Sequence, residues 1–356
     1  MILAQGSIDY TKAVKRLINY GADNIMNKKF IPVAIIILLA VLYVGASAYI
    51  KQRIVSEIND FTASAGFSEE IKYESLSVNP VSMSGKLKQV SFNDTELKFN
   101  ADEFSFNVLS NKGRISNLSV ANGEETINID EIDILKFEKE DGVPKSVDIN
   151  VTALHLPISD EEIKSKLGKD EVTVDIQIST NADFKNMVYE YSKLNFLAEG
   201  LGDMKMNLTF SGVDIKSYSK YSTANPDSLQ NNEEFSKKVQ EDISKLKINS
   251  LKVELTDKGF MEKLFLQPEE GDNSTIEERR QKLMEGADEK IAAIESPFEK
   301  QFSEDMKNFI LEGKKEITVT MNPAEPVSLQ QIMLSSMMNG TVDELVSMTG
   351  LKYEMK

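Results

Sequence analysis

The sequence predicts an α+β protein, on three observations. Residues 30–50 form an uncharged apolar run near the N-terminus. From Ile71 to Leu156, apolar and polar residues alternate with the period of two that is typical of strands. After Asn273 the apolar residues instead recur at helical spacing. We therefore expect a long, twisted, mostly antiparallel sheet that is partly covered by helices and ends in a helix-rich part.

The run at residues 30–50 reads FIPVAIIILLAVLYVGASAYI and is bounded by Lys28 and Lys29 before it and by Lys51 and Arg53 after it. At about 1.5 Å per residue, a helix of this run would be about 31 Å long, which is close to the hydrocarbon thickness of a bilayer. We predict a transmembrane helix here, and the inner membrane is the first partner that the sequence indicates.

A cleavable signal peptide is the alternative interpretation of this run. Ala46-Ser47-Ala48 has the small-x-small form of a signal peptidase site. Against cleavage, 29 residues precede the run, and the run exceeds the apolar core of about 7–15 residues that is usual in signal peptides. N-terminal sequencing of the membrane-bound product separates the two interpretations.

Charge predicts the orientation. Residues 1–50 carry a net charge of +3, whereas the residues after Ile50 carry −19. Basic residues close to a span tend to stay in the cytoplasm, so we expect residues 1–29 inside and residues 51–356 across the membrane, although Lys51 and Arg53 argue weakly for the reverse. Residues 12–18 form a short basic amphipathic pattern, which suits either a helix on an anionic leaflet or a cytoplasmic stub.

Composition limits the function of the large acidic part. It contains no cysteine, so its stability must come from core burial rather than disulfides. No cluster of Lys and Arg follows residue 53. Phosphate contacts need such clusters, so we expect no nucleic-acid partner.

The alternation of the β-rich region changes phase inside single strands. Leu97, Phe99 and Ala101 alternate in one phase, and Phe104 and Phe106 continue in the other. A second change of phase separates residues 127–129 from residues 132–134. A one-residue slip would turn the apolar face outward unless a bulge absorbs it, so we predict long, bulged strands.

A strand with clean alternation follows at residues 172–178, and further strands are predicted at 204–210, 246–255, 317–321 and 351–355. Three strand segments share an apolar spacing of three and then two, beginning at Leu87, Ile115 and Ile248. This spacing is either a weak internal repeat in a stacked β-array or the ordinary signature of a bulged strand.

Helices are predicted from caps and periodicity. A helix over 159–168 has Ser159 as its N-cap and Gly168 as its stop. The polar residues 217–240 predict a loop that leads into a short helix, and Asp257 is expected to cap the next helix. Five residues are expected to share one face of a later helix: Ile276, Leu283, Ala287, Ile291 and Ile294.

The remaining helices lie towards the C-terminus. One begins at Ser296-Pro297 and ends before Gly313, and its apolar residues include Phe302 and Phe309. Two shorter helices are expected to begin at Ser328 and Thr341. Methionines are frequent here, and they fill ordinary cores or form adaptable surfaces that accept an acyl chain or a partner helix. They are Met333, Met337, Met338, Met348 and Met355.

The sequence offers no catalytic, cofactor-binding or metal-binding residues. His155 is the only histidine, and because its neighbours Leu154 and Leu156 point to the apolar face, we expect its side chain on the polar face. No phosphate loop, dinucleotide fingerprint or nucleophile elbow occurs. The acidic segments 130–133 and 269–273 lack the spacing of a calcium loop and are expected to be solvated turns. A hydrolase with two carboxylates would need a cleft and a raised pKa on one acid.

The start of the chain resembles that of AsmA-like proteins of the Gram-negative envelope. The resemblance rests on an apolar run, an amphipathic stretch that ends at Gly66, and the segments 73–80 (YESLSVNP) and 84–92 (SGKLKQVSF). The resemblance covers roughly residues 30–120. It implies an inner-membrane helix that carries a periplasmic domain of long twisted β-sheet, and a role in lipid handling along an apolar β-groove. The chain departs from the family by being short and by its helix-rich end.

The expected function is that of a non-enzymatic, membrane-anchored envelope protein that binds lipid or a membrane-protein partner. The alternative is a structural or assembly module whose C-terminal helices dock a partner through an exposed patch of Phe302, Phe309 and the late methionines. The expected organisation has five parts. These are a cytoplasmic basic segment (1–29), a transmembrane helix (30–50), an amphipathic stem helix (51–66), a periplasmic β-rich domain (67–270) and a helix-rich part on the same domain (271–356).

Overall fold

The structure is a computed structural model, and it describes most of the chain from residue 72 onward. The predicted cytoplasmic segment, the span at 30–50 and the stem at 51–66 lie outside the described residues. The described ranges are 72–79, 84–93, 98–107, 109–122, 125–141, 143–221, 232–266, 274–312, 315–337 and 342–356.

In the described ranges, thirteen strands form one antiparallel sheet, and nearly every strand pairs with the next one along the chain. β13 pairs with β11 at one edge, and the short β12 pairs with the beginning of β10. The strands are β1 Ser75–Asn79, β2 Ser84–Asn93, β3 Lys98–Asn107, β4 Lys112–Asn122, β5 Glu125–Glu140, β6 Val143–Pro157, β7 Glu171–Asp183, β8 Val188–Ala198, β9 Gly202–Ser211, β10 Lys247–Asp257, β11 Glu316–Met321, β12 Val327–Ser328 and β13 Lys352–Met355.

Seven α-helices occur in the described part of the chain, six of them after residue 230. They are α1 Glu161–Leu167, α2 Glu233–Lys245, α3 Phe260–Leu266, α4 Ile276–Ala292, α5 Pro297–Glu312, α6 Leu329–Met337 and α7 Val342–Thr349, and a 3₁₀ helix, η1, spans Ile215–Tyr221. The expected α+β class, with a long antiparallel sheet and helices concentrated towards the C-terminus, is confirmed. No described helix combines the length and the apolarity that a membrane crossing requires.

The predicted helix starts at Asp257, Ser296 and Ser328 are confirmed by hydrogen bonds, whereas Thr341 lies outside the described residues. The Asp257 carboxylate accepts from the backbone N–H groups of Gly259 and Met261, and Ser328 Oγ accepts from the N–H of Gln331. Ser159, however, is not the N-cap of α1. Asp160 takes that place, because its carboxylate reaches the N–H groups of both Glu162 and Ile163.

The sheet has two ends, which differ in their connections. The entry end is the end nearest Lys72, which pairs with Ser91 near the end of β2. It includes α1, the turn at 199–201 and α3. The far end is the opposite one. Its segments are the turns at 109–111 and 184–187, Asp141 after β5, then η1 and α2, and the start of α6 next to β10.

The half of the sheet formed by β2 to β6 has a sealed apolar core. Sixteen residues of these strands form one buried cluster, and none is more than 6% exposed. Phe99 is central to it: its ring stacks on Phe92 at 5.5 Å and on Phe104 at 6.4 Å between centroids. At about 25 cal/mol per Å² of apolar surface, this cluster is a principal source of the stability of this half.

Every strand from β2 to β6 changes phase in the same row, where two consecutive residues point away from the core. We call this row the crease. In β3 the pair is Asp102 and Glu103, and in β5 it is Asp130 and Glu131. The phase changes predicted from the sequence are therefore confirmed. The predicted bulges are absent from the pairings within β2 to β5, because neighbouring strands slip together and keep the same register on both sides of the crease. Register shifts typical of bulges occur from the β5–β6 pairing onward.

The crease has a local backbone cause. Gln89, Asn117 and Ala153 occupy this row on alternate strands, and each has a φ of 49–52°. A residue with a left-handed φ turns the strand, so that its side chain points to the same face as the side chain of the residue before it. The crease ends at β7, where Thr152 and Ala153 together oppose Asp175, and the Asp175 carboxylate accepts a 2.8 Å bond from the N–H of Ala153.

The entry-end helices have their own small core, in which Leu266, Leu283 and Leu311 are buried together. Leu283, Ala287 and Ile291 face inward from α4, as predicted. Ile276 does not face inward: it is the first residue of the helix and is 44% exposed. Its preceding residue, Thr275, forms a capping box with Glu278.

Candidate functional site

The apolar side of the sheet continues from the sealed core across β7 to β13. Directly opposed residues of antiparallel strands share a face, so the pairing identifies its members. One cross-strand row leads from the core residue Val151 through Ile176, Phe196, Met204, Leu255 and Ile317 to Met355. A second row leads from the core residue Ile149 through Ile178, Leu194, Met206, Val253 and Val319 to Tyr353.

We call these two rows, between β7 and β13, the apolar strip. Its side chains are less well covered than those of the adjoining sealed core. Phe196, Met204 and Met206 are only half-buried, whereas Ile149 and Val151 on the core side are at most 3% exposed. At about 4.8 Å between strands, the strip is roughly 24 Å wide from β7 to β13.

Helix α5 covers the margin of the strip at β13. The ring of Tyr353 meets the rings of Phe298 and Phe302 edge-on, with centroids 5.5 and 5.0 Å apart. The Tyr353 hydroxyl also donates a 2.8 Å hydrogen bond to Asp305, and burial together with this carboxylate raises the pKa of Tyr353 to about 12. This side of the strip is therefore closed by specific contacts.

An aromatic group borders the strip towards the far end. Phe210 stacks on Tyr189 at 5.2 Å and on Tyr191 at 6.3 Å between centroids. Tyr189 is buried, and its hydroxyl accepts a 3.2 Å hydrogen bond from the N–H of Ile215 in η1. Burial raises the pKa of Tyr189. The strip is thus bounded by aromatic side chains on two sides, a composition that suits apolar ligands.

The opposite face of the same strands is polar. Asn195 donates a 3.0 Å hydrogen bond to Gln177 there. His155 also lies on this face, as predicted, because it pairs with Asn128 and Thr173 while Leu154 packs in the core. Its ring nitrogens lie 3.2 Å from Glu171 Oε1 and 3.5 Å from Asp130 Oδ1. These contacts give His155 a place in a surface network rather than in the apolar strip.

Two carboxylates, those of Glu131 and Asp133, interact near the crease on the polar face. Burial and the negative charge of Asp133 raise the pKa of Glu131, and Arg114 opposes this rise. The Arg114 guanidinium lies 3.0 Å from Glu131 and 2.8 Å from Asp133. This is an ion-paired trio of partly exposed side chains on the polar face of the strands.

The two acidic segments considered from sequence fall in different places. Residues 130–133 belong to β5, so the expectation of a turn there is wrong. The acidic residues cluster because the phase change of the strand turns both Asp130 and Glu131 away from the core. Residues 269–273 lie outside the described residues. Within the described ranges, no three His, Asp or Glu side chains are grouped closely enough to hold a metal ion.

The apolar strip was only partly visible in the sequence. Its strands were predicted, but their lateral order and the cover from α5 depend on contacts distant along the chain. The patch expected from Phe302, Phe309 and the late methionines does not form as a unit. Phe309 is buried and Phe302 packs on Tyr353, whereas Met333 is exposed on α6, because α5 turns its aromatic side inward.

Comparison with known proteins adds one match. A family model described as "Uncharacterized protein" matches residues 195–355, which are 161 of the 356 residues. The match begins within β8 and includes β9 to β13 and α2 to α7, so it takes in most of the apolar strip and leaves out the sealed core. No curated protein matches the chain.

Proposed function

We propose that this chain is a non-enzymatic, membrane-anchored envelope protein, similar to AsmA-like proteins, that binds lipid acyl chains on the apolar strip. The observation that supports the proposal most directly is the partial exposure of the strip: only Ile317 of its twelve residues is buried, and the other eleven are half-buried. A continuous apolar row across six strands offers dispersion contacts to a linear hydrocarbon without hydrogen-bonding demands. The apolar run at 30–50 would anchor the chain in the inner membrane, with residues 51–356 in the periplasm.

The negative charge of the proposed periplasmic part is consistent with lipid binding on the apolar strip. The residues from 72 onward carry a net charge of −17, which disfavours broad electrostatic adhesion to anionic headgroups. Binding of lipid would then depend on the acyl chain rather than on the headgroup. We therefore expect weak selectivity among headgroups.

Site-specific photocrosslinking in the full-length chain tests the proposal. A benzophenone amino acid at Phe196 replaces one aromatic side chain of the strip with another. The same amino acid at Asn195, the preceding residue on the polar face, is the matched control. After irradiation in cells, mass spectrometry identifies any adduct.

We expect lipid adducts at position 196 and none at 195, together with lipid that copurifies in native mass spectrometry. Absence of both would refute lipid binding, and so would equal labelling at the two positions. A protein adduct at position 196 would instead favour a membrane-protein partner on the same strip.

The assembly-module alternative has support from one observation. Met333 and Leu334 are about half exposed on α6, so the late helices do present apolar side chains to solvent. This alternative predicts protein adducts from benzophenone at position 333 and none at position 196.

A further inference from the structure

The large apolar side chains that remain exposed are concentrated at one end of the sheet. In the described part of the chain, five of the eight such side chains lie at the far end, and they are 40–73% exposed: Leu109, Met187, Ile243, Met333 and Leu334. Leu135 lies within β5, and Ile276 and Met284 lie on α4. Scattered single apolar residues are normal, but concentration at one end of an elongated sheet is not.

These five side chains come from four separate segments. Leu109 lies in the turn between β3 and β4, and Met187 in the turn between β7 and β8. Ile243 belongs to α2, which packs against α6, the helix of Met333 and Leu334. Met187 also has a φ of 51°, a left-handed conformation that residues other than glycine rarely adopt. Glycine or asparagine would fit this turn position better.

The charge at this end differs from that of the rest of the chain. The far-end segments contain ten basic and nine acidic residues, whereas residues 72–356 together carry −17. These segments are 107–112, 139–145, 183–188, 212–221, 232–247 and 322–337. Helix α6, LQQIMLSSM, has no charged residue. An anionic surface would therefore be repelled least at the far end.

The rest of the chain joins the sheet at the opposite end. Residues 1–71 lead into Lys72 at the entry end, and the 15 residues of β6 separate the two ends by roughly 50 Å. We propose that the far end contacts a lipid bilayer, with Leu109, Met187 and the α6 side chains inserted among the headgroups. Apolar tips on separate turns suit a fluid interface better than the single contiguous patch of a protein interface.

The proposal is independent of ligand binding on the apolar strip, because it involves other residues at another place on the sheet. The chain contains no cysteine, so one introduced cysteine accepts an environment-sensitive fluorophore uniquely. Leu109→Cys, Met187→Cys and Met333→Cys report on the far end. Ile276→Cys and Met284→Cys on α4 are matched controls, since these positions are 44% and 41% exposed.

The labelled full-length chains are placed in nanodiscs, and protein-free vesicles of phosphatidylethanolamine and phosphatidylglycerol are then added. We expect a blue shift and a gain in fluorescence intensity at positions 109, 187 and 333, and no change at 276 or 284. No change at the three far-end positions would overturn the proposal. So would an equal change at α4, or a response that appears only with vesicles containing membrane proteins.

Flotation provides a second readout without labels. Vesicle co-flotation of nanodisc-held chains is expected to be lost when Leu109, Met187 and Met333 are all replaced by serine. It should be retained when Ile276 and Met284 are replaced by serine. Circular dichroism verifies that each variant is folded. Retention of flotation by the triple variant would contradict the proposal, even if the apolar strip binds lipid.

Discussion

The side-chain amide of Asn117 on β4 donates a 2.7 Å hydrogen bond to the carboxylate of Asp102 on β3. Asp102 also accepts a 3.2 Å bond from the side chain of Gln89 on β2. Both donors belong to residues with a left-handed φ, so one aspartate links the two turning points of the crease on either side of its strand. The crease allows the apolar residues before and after it to share one core.

Replacing Asn117 tests the backbone requirement of the crease. Asn117→Val places a β-branched side chain at a φ of 49°, and we expect it to lower the free energy of unfolding by about 1–3 kcal/mol. Asn117→Gly keeps the conformation and loses only the exposed hydrogen bond. Urea unfolding of the detergent-solubilised chain, followed by circular dichroism, measures both. Equal destabilisation by Val and Gly would mean that the backbone conformation is not what matters.

Gly85 gives a second test, at the margin of the sealed core. A methyl group on Gly85 would lie 2.1 Å from a ring carbon of Phe106, which packs over this glycine. We expect Gly85→Val to lower the unfolding free energy by about 1–3 kcal/mol through overpacking. Gly286→Ala is the matched control, because open space surrounds Gly286 in the exposed part of α4, where alanine favours the helix by up to about 1 kcal/mol. A melting temperature that falls for both variants would contradict this account.

The crease separates what the sequence predicts about the sheet from what it does not. The phase changes at 101–104 and 129–132 are readable, because burial imposes a period of two on each strand. The alignment of these phase changes into one row cannot be predicted from the sequence, since it depends on the register between strands, which the turns set. Similarly, the helical periodicity of residues 298–310 predicts a buried face. It does not reveal that Phe302 packs on Tyr353, because these residues are brought together by the return of the chain as β13.

Met333 and Phe309 illustrate the same limit in the candidate surfaces. Both are apolar residues on amphipathic helices, and local sequence gives them similar chances of burial. Phe309 is 2% exposed on α5, which contacts α3, α4 and α7, whereas Met333 is 51% exposed on α6, which packs against α2 at the far end. The packing around each helix, which is a property of the whole fold, decides the difference.

Glu140 provides a prediction about pH. Hydrogen bonds from Lys145 and Lys216 lower the pKa of Glu140 from 4.5 to about 2. Because the folded-state pKa is depressed, the stabilisation is fully present above pH 4.5 and is lost as the pH falls towards 2. We expect the stability difference between the parent chain and Glu140→Gln to shrink over this interval. Acid titration of urea midpoints measures it, and a difference that stays constant from pH 5 to pH 2 would contradict the assignment.

Tyr353 gives the complementary prediction at high pH. Its pKa is raised to about 12 in the folded chain by burial and by Asp305, against an ordinary value of 10. A raised tyrosine pKa means that the stabilisation is present below pH 10 and disappears as the pH rises through 12. Tyr353→Phe keeps the aromatic contacts with Phe298 and Phe302 and removes only the hydrogen bond, so we expect a loss of about 0.5–1.5 kcal/mol at neutral pH.

Tyrosinate absorbance at 295 nm measures this titration. The difference between the parent chain and Tyr353→Phe isolates one of the ten tyrosines, and its midpoint should lie near pH 12 while the chain remains folded. Asp305→Asn is the informative second variant, because it leaves a hydrogen-bond acceptor but removes the negative charge that opposes ionisation. We expect Asp305→Asn to lower the midpoint towards 10. An unchanged midpoint would mean that burial alone sets the pKa, and that the contact with Asp305 contributes little to holding α5 over the apolar strip.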